Sequence, residues 1–190
     1  MKNLEKQGIS EKEDAGSFYG LFEPRPYMRI QFFLVRELFI IGKYRKAIAV
    51  CHHALKLNEN DNLGLRYNLM SLYAKVEDLE SAEKLYKEFE DSSIQMNLPL
   101  AALYYKNGDT KNFNKYVDAI DKKLKGFLTT LNKASKMTEE DFLEYRGMMQ
   151  YTVGSADEFF ITWSDNSYLY NDMPFFLDAV KKRVKKNHTK

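Results

Sequence analysis

One recurrence limits what this 190-residue chain can fold into. A turn, an apolar residue and, three positions on, an alanine appear as Gly42-Lys43-Tyr44-Arg45-Lys46-Ala47. They appear again as Glu77-Asp78-Leu79-Glu80-Ser81-Ala82, with the alanines 35 positions apart. A third turn, Gly108-Asp109, follows Glu77 by 31 positions. Within the first unit, Tyr44, Ala47, Ile48, Cys51, Ala54 and Leu55 recur at spacings of three and four, which puts them on one helix face. Asn58-Glu59-Asn60-Asp61-Asn62 then breaks the pattern, because Asn and Asp favour turns and caps, and a second helical pattern begins near Leu63. A period of 31–35 residues with two helices per unit is that of a stacked helical array. The expected fold is therefore all-α: an α–α superhelix of about three helical hairpins followed by C-terminal helices.

The same reading divides the chain. Residues 1–16 are charged and poor in apolar side chains, and are expected to be a disordered tail. Residues 17–126 form the repeats, residues 127–180 a C-terminal helical segment lying on the array, and residues 181–190 a basic tail. Helices are expected over 27–41, 43–57, 63–76, 79–90 and 98–106. A sixth is capped by Asp109, another covers 156–169, and a last one starts at Asn171-Asp172-Met173-Pro174 and runs to about Lys186. The 27–41 helix is apolar on most of its circumference (Tyr27, Ile30, Leu34, Leu38 and Ile41 on one side, Met28, Phe32, Val35 and Phe39 on another). That predicts a helix buried between neighbours. Beyond Gly126 the period dissolves; residues 129–144 read as polar and irregular, with a helix start at Thr138. Ser155 and Glu158 form a capping box.

Composition removes several functional classes. A single cysteine, Cys51, permits no internal disulfide and fits a reducing compartment. The three histidines, His52, His53 and His188, have no zinc-site spacing, and the Asn-rich loop lacks the alternating ligands of a calcium loop. No metal or cofactor is expected. The N-terminus has no apolar signal core. The most apolar run, 30–41, is interrupted by Gln31, Arg36 and Glu37 and is shorter than the ~20 residues a bilayer requires. A cytoplasmic, non-membrane protein is the expectation. No nucleophile–base pair, paired carboxylates or Gly-rich phosphate loop is present, so no enzymatic activity is expected.

The repeats resemble the tetratricopeptide repeat (TPR). Tyr44, Ala47 and Ala54 match its pattern in the first unit, and Leu79, Ala82 and Tyr86 in the second. Gln31, Glu77 and Glu59 depart from it. A narrower likeness, to bacterial TPR-like proteins and to a middle segment of the eukaryotic suppressor-of-tumorigenicity family, rests on four segments. These are Glu23-Pro24-Arg25-Pro26-Tyr27-Met28-Arg29, Gly42 with Ala47-Ile48, Leu57-Asn58-Glu59-Asn60-Asp61-Asn62-Leu63-Gly64-Leu65-Arg66-Tyr67, and Tyr151 with Gly154-Ser155 and Asp157-Glu158. The resemblance implies a non-enzymatic protein–protein interaction scaffold, a role for which these residues name no ligand.

In TPR proteins the first helix of each repeat lines the concave groove. Carried over, this assigns Arg29, Phe32, Arg36 and Phe39 from the first repeat, Tyr67, Ser71 and Lys75 from the second, and Tyr105 from the third, with Arg66 within reach. Such a wall of cations and aromatics suits a protein or peptide ligand with acidic groups. Competing expectations are that the C-terminal aromatics Phe159, Trp163 and Phe175 fill the groove, and that Arg25 and Arg29 form either an anion-binding corner or a structural fastening. Asn58, Asp61 and Asn62 serve as helix-end caps, while Gly64 allows two helices to approach. Six of the last ten residues are basic. Nucleic-acid binding by that tail is the alternative function, less favoured because cations also suit a helix C-terminus. Oligomeric state is not legible.

Overall fold

The structure, a computed structural model, describes residues 2–145, 150–171 and 173–189. Asp172, in the expected start of the last helix, and Lys190, in the expected basic tail, lie outside the described residues. The described chain is all-α: α1 (Lys2–Glu5), α2 (Arg25–Ile40), α3 (Tyr44–Leu57), α4 (Leu65–Val76), α5 (Leu79–Phe89), α6 (Ile94–Lys106), α7 (Thr110–Lys123), α8 (Phe127–Ala134), α9 (Ala156–Asn171) and α10 (Phe176–His188). It falls into two compact units, Met1–Val76 and Glu77–Lys190.

In the first unit α3 lies between α2 and α4. Its inner positions Ala47, Cys51 and Ala54 are fully buried, and their small size lets a helix approach from each side. Met28 and Val35 of α2 and Leu65, Leu69 and Leu72 of α4 complete the core. The lead-in is stitched to the end of α3: Gly16 N–H donates to Lys56 O, Phe18 N–H to Leu57 O and Glu59 N–H to Gly16 O. The first two bonds satisfy carbonyls that a helix C-terminus leaves open, and the Phe18 ring is fully buried beside them. Residues 2–16, read from sequence as a tail, hold the α1 turn, a buried Leu4 and a bond from Tyr27 Oη to Glu11.

The sequence reading of α2 is corrected here. The helix is not buried between neighbours: α3 and, marginally, α4 pack against it, the 11–19 lead-in touches its first turn, and Met28 and Val35 are its buried apolar residues. Ile30, Phe33, Leu34, Ile40 and Ile41 are 40–72% exposed. With α3 packed on one side of it, the all-round apolar pattern of α2 leaves the opposite face exposed.

The second unit is built around α6, which is buried from Ile94 through Tyr104 by α5, α7 and α9. It begins at Ile94, four residues before the expected start, because two side chains hold its first turn. Ser93 Oγ accepts from Met96 N–H and Glu158 Oε1 accepts from Ile94 N–H at 2.6 Å. The helix continues through Pro99. The capping box at α9 is half made. Ser155 Oγ accepts from Glu158 N–H at 3.2 Å, whereas the Glu158 carboxylate reaches Gly154 N–H and α6 rather than Ser155. Asp109 caps α7 as expected, accepting from Asn112 N–H.

Two further segments differ from expectation. The stretch read as irregular contains α8, whose Phe127, Leu131 and Ala134 are buried, while Thr138 and Asp141 exchange bonds in a turn that does not become a helix. The basic residues 181–188 are part of α10 and not a tail: Val180 and Val184 are fully buried, and Arg183 donates from Nε to Asp118 of α7 at 2.7 Å.

Candidate functional site

On α2, at 3.6 residues per turn, Ile30, Phe33, Leu34, Ile40 and Ile41 share roughly a third of the circumference. Arg29 and Arg36, both exposed, run along one edge of that stripe, and Glu37 is the single acid within it. Phe32 and Phe39 turn from the edge toward the core and are half-buried. Over residues 24–57 there are seven cations (Arg25, Arg29, Arg36, Lys43, Arg45, Lys46 and Lys56) against one carboxylate, Glu37. The result is an apolar ridge in a positive field. Ile30, Leu34 and Ile41 were visible to sequence reasoning as one side of an apolar helix. What sequence did not reveal is that these side chains stay exposed among the described residues.

The other groove candidates of the first unit meet in two clusters. Phe39 and Tyr44 pack edge to face at 5.4 Å between centroids, and Lys75 Nζ lies 5.9 Å from the Tyr44 ring centre. This brings the end of α2, the start of α3 and the end of α4 together. The second cluster is built on Asp61, which is buried and caps α4: Oδ1 accepts from Leu65 N–H at 2.7 Å and Oδ2 from Arg66 N–H at 3.0 Å. Arg66 Nη1 pairs with Oδ2 at 2.9 Å, its guanidinium lies 4.2 Å over the Tyr67 ring, and Nη2 donates to Tyr67 Oη. Burial pushes the Asp61 carboxyl up, against the pull of these donors and of the Arg66 charge. Arg66 and Tyr67 are thus engaged in fastening the loop. Ser71 donates to the Tyr67 carbonyl one turn back. Gly64 serves the turn and not a helix contact: its φ is +69°, and a Cβ there would meet the Tyr67 ring at 3.1 Å.

Cys51 sits beneath this cluster. Burial, then the nearby Asp61, pushes its thiol up to about 12, so it is a core side chain and not a nucleophile. His52 and His53 face tyrosine hydroxyls, Tyr73 at 2.7 Å and Tyr27 at 3.3 Å, and His53 also faces Glu11.

Tyr105 belongs to the second unit and is occupied there. Its hydroxyl donates to Pro174 O at 3.0 Å, and its ring meets Phe113 and Phe176 at 5.5 and 5.3 Å. Of the aromatics expected to fill the groove, Phe159 and Trp163 are buried, whereas Phe175 is exposed and Phe176 takes the inner position. A run of rings, Phe127, Phe159, Trp163, Tyr170 and Phe176, connects α8, α9 and α10.

Among the described residues no helix is long and apolar enough to cross a membrane, and no group of three or more His, Cys, Asp or Glu is placed to hold a metal ion. No protein-family model, no curated protein and no solved structure matches this chain.

Proposed function

We propose that this chain is a protein-interaction module of tetratricopeptide-like build, and that its docking surface is the outer face of α2. One observation carries the reading: five large apolar side chains lie uncovered on a single stripe, where a monomer rarely leaves a contiguous apolar patch of this kind unless it binds something. The occupant is an amphipathic helix of another protein with acidic residues flanking its apolar side. Its apolar ridge would lie along Ile30, Phe33, Leu34 and Ile41, and its carboxylates would meet Arg29 and Arg36 in charge-assisted bonds. Charge argues against a second copy of this chain, since self-pairing would bring Arg29 and Arg36 of one copy toward the same arginines of the other and like charges across an interface are repulsive. Relative to the groove inferred from the family, Arg29 and Arg36 are retained, Phe32 and Phe39 become the inner edge, and Arg66, Tyr67, Ser71 and Tyr105 become structural.

Selection of helical peptides from a displayed library against the purified chain tests this. Enriched sequences should be acidic and amphipathic, and Phe33→Glu should weaken their binding by about 100-fold with the far-UV spectrum unchanged. Enrichment of basic or non-amphipathic peptides, or binding indifferent to Phe33→Glu, would contradict it.

A further inference from the structure

The two sequence segments that the α2 reading leaves unused, around Arg25 and around Asn58 to Asn62, converge on one cavity in the first unit. It measures about 340 Å³ and is lined by Ser17, Tyr19, Arg25, Asn58, Asn60 and Asn62, with glycine backbone between them. Among the described residues that line it Arg25 carries the only formal charge, while the Glu59 carboxyl packs against Gly16.

The Arg25 guanidinium is held in place from two directions. Its Nε donates to Tyr19 O at 3.0 Å, and the Tyr19 and Phe22 rings lie 5.5 and 5.8 Å from its central carbon. Its remaining N–H groups have no protein partner among the described residues. A planar fork fixed along one edge presents the other edge in a defined direction, which suits a carboxylate. The second observation concerns Asn58. It is 2% exposed, its backbone is fully used by Ala54, Leu55 and Asp61, and its carboxamide has no hydrogen-bond partner among the described residues while lining the cavity. The polar atoms of that carboxamide are not sealed off, so they open onto the cavity and can give and take hydrogen bonds with what enters it. Asn60 and Asn62, on the same wall, also make no side-chain hydrogen bond among the described residues.

We infer that this cavity is a binding site for a small hydroxylated carboxylate, of the size and chemistry of a sugar acid. Each carboxamide offers two donors and an acceptor, the combination that matches hydroxyl groups, which both give and take hydrogen bonds. One guanidinium balances one carboxylate; a phosphate monoester, carrying closer to two charges at neutral pH, would be under-compensated. The site is separate from the α2 stripe and stands or falls independently of it.

The test is a titration of the isotope-labelled full-length chain, followed by amide resonances, with four probes: D-glucuronate, D-glucose, acetate and glucose 6-phosphate. Glucuronate should move the resonances of Ser17 to Gly20 and Asn58 to Asn62 saturably, with a dissociation constant about tenfold or more below those of the other three. Arg25→Gln should weaken it by about tenfold. Because Arg25 also holds Tyr19, a second variant, Asn60→Asp, places a negative charge in the wall at an exposed position and should weaken glucuronate similarly. The inference is overturned if millimolar glucuronate gives no saturable shift, or if glucose or acetate binds as well. Preference for glucose 6-phosphate would overturn it too, as would undiminished glucuronate binding by both variants.

Discussion

The carboxylate of Glu158, fully buried, accepts from three backbone N–H groups: Ile94 at 2.6 Å and Gln95 at 3.4 Å in the first turn of α6, and Gly154 at 2.5 Å before α9. Two helix starts share one side chain, and the charge sits where both helix dipoles favour it. Replacing Glu158 by Ala strands these donors and should cost about 3 kcal/mol, measured as a lower urea midpoint. Burial pushes the Glu158 carboxyl above its ordinary 4.5, against the pull of the three N–H groups and of Lys123. The folded protein therefore keeps this proton at pH values where the unfolded chain has released it. The contribution to stability is largest at or below about pH 4.5 and declines as pH rises through the folded value. Glu158→Gln removes that titration, so the stability deficit of the variant relative to wild type should narrow between pH 4.5 and pH 7. A deficit that widened over this range would contradict the assignment. Asp118 behaves oppositely. Burial raises its carboxyl, but the bonds from Arg183 and Asn187 and the Arg183 charge outweigh it and leave it below 3.8. Its contribution is held at neutral pH and lost only as pH falls through that lowered value.

At the scale of elements, α2 and α10 show how one pattern can mean burial or exposure. Along α2, Met28 and Val35 face α3 while Phe33 and Ile40 face outward. Met28→Ala should cost about 2–5 kcal/mol, whereas Phe33→Glu should change the unfolding free energy by no more than about 0.5 kcal/mol; equilibrium urea titrations of both variants decide the point. On α10, Val184→Ala should cost on the order of 2 kcal/mol by opening a void, and Arg183→Ala about 1 kcal/mol, because the Asp118 pair is partly exposed. Both losses would be absent from a free basic tail.

The helices from α2 to α7 were legible because spacings of three and four write buried faces into the sequence, as Ala47, Cys51 and Ala54 do for α3. The Asp109 cap is a local signal and was legible for the same reason. The covering of α2 was not, since a side chain carries no mark of whether a neighbour exists. The start of α6 was hidden because its anchor, Glu158, lies 64 residues away. The last helix was legible to about Lys186; what the basic run hid is that its face of Phe176, Val180 and Val184 is buried, with Arg183 and Asn187 bonded to Asp118. Of the candidate site, Arg29 and Arg36 were legible as cations on a helix edge. Arg66 was assigned a ligand that Asp61 replaces.

For the whole molecule, the net charge of +2 conceals an asymmetry, because residues 24–57 alone carry seven cations and one acid. Docking of an acidic helix on this region should therefore weaken by about tenfold between low and high salt, as exposed charge pairs are screened over a Debye length of about 10 Å at 0.1 M. Salt-independent binding would mean that the arginines are bystanders. The most direct test of the proposed docking surface is a photo-reactive phenylalanine analogue placed at Phe33 and, separately, at the exposed Glu88 of α5, with irradiation in the native cell. The α2 reading predicts a discrete covalent adduct from position 33 alone, mapping to an acidic amphipathic helix of another protein. Equal adducts from both positions, or none from position 33 in folded protein, would contradict it.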